Sequence, residues 1–140
     1  MLFDDLQKAN IEAIKAHDAD AKAVLSVVIS RYKLLVVEAR GNKKTLTDAD
    51  LLSLIQKILK ELSDEKDGYA RVGNVARVEA ISRQEDIIKK YLPQQLSKEE
   101  IIDEINSLDD KSLPNIMKHF KTNFAGKVDM SLVSQIARSL

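Results

Sequence analysis

The sequence predicts an all-α fold in two parts: an N-terminal four-helix bundle-like domain over residues 1–93 and a small three-helix tail domain over 94–140. Three observations predict it. Among 140 residues there are only four glycines and two prolines, 31% are charged and 4% aromatic, whereas a β-rich chain needs more turn residues and aromatics. Apolar side chains recur at helical spacing rather than alternating. Pro93 separates long helical patterns from short ones.

The first helix is expected over 2–17, with Leu2, Phe3, Leu6, Ala13 and Ile14 on one side and Asp4 and Asp5 at the positive end of its dipole. The second runs from about Asp20 to Arg40 and ends at Gly41-Asn42, a C-cap pattern. It is apolar around much of its circumference, which predicts a central place in a bundle. The third starts at Thr47, where Asp50 completes a capping box and Leu46 with Leu51 forms a hydrophobic staple. Its stripe is Leu51, Ile55, Ile58 and Leu62. The charged stretch from Ser63 to Gly68 then predicts its end, with a turn or kink bracketed by Gly68 and Gly73. A fourth helix is expected over 75–91, stopped by Pro93.

Beyond Pro93 a tether is expected at 92–96. Ser97-Lys98-Glu99-Glu100 is a full capping box, and Leu96 can staple onto Ile101. Three short helices follow, at about 98–108, 113–121 and 130–139, the last capped by Asp129. In that last helix Leu132, Val133, Ile136 and Leu140 are expected to cluster inward.

Composition excludes several classes. There is no cysteine, hence no disulfide, thiolate metal site or cysteine nucleophile. No metal site is expected, because His17 and His119 stand in different segments without a second histidine one turn away. No glycine-rich phosphate loop, dinucleotide fingerprint or Gly-x-Ser-x-Gly elbow is present, so no catalytic residue and no cofactor is assigned. The longest apolar run, Leu34 to Val37, is far short of the roughly 18–20 residues a membrane helix needs, so no membrane partner is expected. The acidic start Met-Leu-Phe-Asp-Asp is unlike a signal peptide, and a cytoplasmic location is expected.

Charge is uneven along a neutral chain. Residues 1–93 carry 16 basic and 15 acidic side chains, 94–113 carry two and six, and 114–140 carry four and one. A helical step of about 100° puts Lys118 and Lys121 opposite Ile116, Met117 and Phe120. With Lys127 and Arg138 they are the candidate anion-contacting residues of the tail.

Two stretches carry a family resemblance. Tyr91-Leu92-Pro93-Gln94-Gln95-Leu96-Ser97 with Glu100, and Gly126-Lys127-Val128-Asp129 followed by Ser131-Leu132-Val133, resemble the GatB/YqeY family, in its stand-alone YqeY form. The order and length of the whole chain fit. Val128 and Met130 depart from the family loop, where small residues are usual, and Ser26 and Leu62 stand where arginine is typical. Tyr91, Leu92, Pro93, Gln95, Leu96, Ser97, Glu100, Gly126 and Asp129 are the structural motif residues that the resemblance points to.

The resemblance implies a link to tRNA, because the related tail of the amidotransferase B subunit helps hold tRNA and some glutaminyl-tRNA synthetases carry a related module. The function expected from it is a non-catalytic tRNA-binding accessory, with an amidotransferase or an aminoacyl-tRNA synthetase as partner and no DNA. Lys118, Lys121, Lys127 and Arg138 are then the RNA-binding residues. A helical protein–protein adaptor is the alternative. A third reading, a glutamine-dependent carbon–nitrogen ligase, is a label carried by similarity to the amidotransferase, and no residue pattern here supports catalysis by this chain alone.

Overall fold

A computed structural model describes all residues, Met1–Leu140, as seven helices and no strand: α1 (Leu2–Lys15), α2 (Ala19–Gly41), α3 (Asp48–Arg71), α4 (Val75–Lys89), α5 (Lys98–Asn106), α6 (Leu113–Asn123) and α7 (Met130–Ser139). They divide into two compact units, Met1–Tyr91 and Leu92–Leu140.

In the first unit α1 packs along α2, α3 along α4, and α2 reaches all three of its neighbours. That is the central position its apolar circumference predicts. Leu6, Leu25, Val28, Leu51, Ile55 and Ile88 are fully enclosed, and burying each such side chain contributes about 1.5–3 kcal/mol. Phe3 and Tyr32 stack across α1 and α2 with ring centroids 4.8 Å apart. Asp18 caps α2 by accepting from the Ala21 N–H at 3.1 Å. At the start of α3 the Asp50 carboxylate accepts from the Thr47 N–H at 2.7 Å.

The structure corrects the reading of α3. Rather than ending in the charged stretch, the helix continues unbroken through Ser63–Gly68 to Arg71, and only Gly73 lies in the turn, at φ +72°. The reason is tertiary. Lys66 reaches across to α4 and donates to the Glu85 carboxylate at 2.6 Å, and that pairing with α4 outweighs the cost of about 1 kcal/mol for an in-helix Gly68. Two apolar assignments also fail. Ile14 is half exposed, and Leu140, beyond the end of α7, is exposed rather than clustered.

In the second unit α7 packs against both α5 and α6. Its core is Ile101, Ile105, Ile116, Phe120, Val133 and Ile136, joined by Val128 from the loop before α7. Leu96 packs on this core, the staple expected from its place before Ser97. The Ser97–Glu100 box is complete: Glu100 N–H donates to Ser97 Oγ at 3.2 Å and Ser97 N–H donates to Glu100 Oε1 at 3.1 Å. No helix is long and apolar enough to cross a membrane.

Candidate nucleic-acid interface

The two motifs that stand 31 residues apart in sequence meet in space. The Gln95 side-chain amide donates to the Gly126 carbonyl at 2.7 Å and to the Pro93 carbonyl at 2.9 Å. One residue on, the Leu96 N–H donates to the Lys127 carbonyl at 2.8 Å. Chain read as a tether is therefore fastened to the loop between α6 and α7. Gly126 sits at φ +77°, a left-handed conformation that glycine adopts without steric cost. The same residue turns the loop and aims its carbonyl at Gln95.

The departures Val128 and Met130 serve the core: Val128 is buried and Met130 packs on the same cluster. Asp129 caps α7, its carboxylate accepting from the Ser131 N–H at 2.9 Å. Asp110, in the loop before α6, accepts from the Ser112 N–H at 3.0 Å. That backbone hydrogen bond, with one from the Ser112 side chain, holds its carboxyl below the usual carboxylate range. Tyr91 closes the first unit half-buried. Burial, and after it the Asp5 carboxylate, pushes its phenol above the ordinary value. Leu92 and Pro93 are half-buried as well.

The chain matches the model of the YqeY-like protein family over residues 3–140. It belongs to that family. No curated protein matches it.

The structure places the four candidate cations of this YqeY-like chain at the surface. Lys118 and Lys121 lie one turn apart on α6, Lys127 sits in the loop and Arg138 in the last turn of α7. None of them forms an ion pair, whereas Arg31, Lys66 and Arg83 in the first unit each hold a carboxylate. Lys121 lies in the last turn of α6, and Lys127 lies in the connection between α6 and α7. Arg138 lies eight residues, about 12 Å of helix, beyond Met130 in the last turn of α7.

Sequence reasoning passed over one feature of this unit. His119 Nε2 lies 2.8 Å from Glu104 Oε1, and its Nδ1 lies 3.2 Å from Asn123 Nδ2. A neutral ring donating to Glu104 and accepting from Asn123 fits both distances. Phe120 and Phe124 flank the ring at centroid distances of 5.5 and 5.9 Å. The bond to Glu104 ties α6 to α5, and the one to Asn123 orients the ring. The i, i+4 spacing of His119 and Asn123 is the one signal in the sequence that points to it.

Proposed function

We propose that this YqeY-like protein is a non-catalytic tRNA-binding accessory, acting beside a tRNA-dependent amidotransferase or an aminoacyl-tRNA synthetase. The observation that carries this reading is that Lys118, Lys121, Lys127 and Arg138, in the basic last part of the C-terminal unit, are all exposed and none holds a carboxylate. An unpaired surface cation contacts a phosphate without first breaking a salt bridge, and phosphate contacts supply most sequence-independent affinity. The clamp of Gln95 and Leu96 onto the 126–127 backbone holds the Lys127 loop in one conformation, which lowers the ordering cost of contact. The adaptor reading rests on a different feature, the exposed Leu34 and Val37 of α2. Pull-down with and without nuclease separates the two: RNA-dependent partners are lost and protein-dependent ones retained.

A gel-shift titration with unfractionated tRNA at two salt concentrations tests the proposal directly. Three or four phosphate contacts give a slope of roughly −2 to −4 in log K against log salt. Replacing Lys118, Lys121, Lys127 and Arg138 together by alanine abolishes the shift. It changes folding little, since exposed substitutions usually stay within about 0.5 kcal/mol each. Asp129→Ala does the reverse, keeping RNA binding while losing about 1 kcal/mol of helix capping. Wild-type protein that fails to shift tRNA at low salt, or a four-alanine variant that binds equally, overturns the reading.

A further inference from the structure

One face of α2 carries Arg31, Leu34, Leu35 and Glu38, spaced i, i+3, i+4, i+7, and one face of α3 carries Asp50, Ser53, Leu54 and Lys57 at the same spacing. Both faces line a single open groove of about 420 Å³. A short connection joins the two helices and Arg31 pairs with Glu61 across them, so they run antiparallel. Arg31 and Lys57 thus mark one end of the groove and Glu38 and Asp50 the other. The middle is leucine. Leu34 on the α2 lip is 64% exposed, and Val37 beside it 65%.

We propose that this groove seats α2 of a second copy of the chain, packed antiparallel about a two-fold axis. The charge pattern selects that occupant. Centring the axis between Leu34 and Leu35 brings Arg31 level with the second copy's Glu38, and by symmetry Glu38 level with its Arg31. The exposed Leu34 of each copy then meets Leu35 of the other. Parallel packing brings Arg31 onto Arg31 and Glu38 onto Glu38, and like charges in contact are costly. A polarised groove is thus complementary to its own two-fold image, the condition for a closed isologous dimer. Arg31 spends Nη1 on Glu61, and the rest of its planar fork stays available to a second carboxylate. This inference is independent of tRNA binding.

Sedimentation equilibrium of the full-length protein from low micromolar to several hundred micromolar is the test, with circular dichroism of each variant as the folding control. The expected result is a monomer–dimer equilibrium. Leu34→Glu abolishes it with unchanged helicity, because an exposed leucine contributes little to the monomer. Arg31→Glu and Glu38→Arg each weaken association at least about tenfold by setting like charges level. The double variant, with both charges exchanged, restores it to near wild type, as no contact with a foreign partner does. Arg31→Glu also loses the bond to Glu61; if its melting temperature falls, Glu38→Arg and the double variant still decide the matter. A monomer at every concentration overturns the proposal and returns the groove to a helix of another protein. A dimer indifferent to Leu34→Glu, or not rescued by the double exchange, overturns it equally.

Discussion

Phe120→Ala unfolds the C-terminal unit at room temperature. Phe120 is the largest fully enclosed side chain in the protein and stands at the centre of the 92–140 core. Truncating a buried phenylalanine costs about 3–5 kcal/mol in transfer and cavity terms. A core of this size rarely supplies more than about 3–5 kcal/mol of net stability, so one substitution removes the whole margin. Phe124 and His119 lose their ring contacts with Phe120 at the same time. Amide NMR spectra check it: cross-peaks of residues 92–140 collapse toward random-coil positions while those of 1–91 keep their dispersion. Dispersed signals for α5 to α7 in the variant show that the unit draws stability from elsewhere. Collapse of the first unit as well shows that the two parts share one cooperative transition.

Lys66→Met is the second large effect, with a pH signature. Glu85 is buried on α4, and Lys66 is the partner that neutralises it at 2.6 Å. The hydrogen bond to Glu85 is the main cause that lifts the Lys66 amine above its ordinary value, with burial opposing and nearby carboxylates assisting. A lysine whose folded pKa is raised stabilises fully below its unfolded pKa, about 10.4, and loses that contribution as pH climbs past the folded value. At neutral pH the pair is therefore intact in the wild type. Removing one partner of a buried pair costs about 3–5 kcal/mol. The Lys66 side chain still reaches water, so about 2–3 kcal/mol is expected, read from denaturant melts.

In that variant Glu85 is left buried without its lysine partner. Adding Glu85→Leu to Lys66→Met should recover most of the loss, because exchanging both members for apolar residues is often neutral. A single variant as stable as wild type at pH 7 would show that water, not Lys66, satisfies Glu85.

What was legible in the sequence was local. Ser97 and Glu100 announce a helix start because both halves of the box lie within one turn, and the structure forms both hydrogen bonds. The Thr47–Asp50 start is legible for the same reason. The course of α3 beyond Leu62 was not. Ser63 to Gly68 is polar and ends in glycine, and the force that keeps it helical comes from Glu85, nineteen residues away. Lys118 and Lys121 were placed outward by helical arithmetic and are exposed. The meeting of Gln95 with Gly126 had no local signal, since neither residue type demands the other. Val128 and Met130, which depart from the family loop in sequence, belong to and pack on the core of this unit.

That meeting has a kinetic side. Bringing Gln95 to Gly126 closes a segment of 31 residues, and the chain entropy lost grows as (3/2)RT ln n, about 3 kcal/mol at that length. Two neutral hydrogen bonds return about 1 kcal/mol each, less than the closure takes. The joint therefore does not initiate the unit. The α6–α7 pair, linked by a short loop and packed together, spans a smaller separation and is the cheaper nucleus. Gln95 and Leu96 then lock a pair already formed, so the Lys127 loop takes its final shape in the last steps of folding.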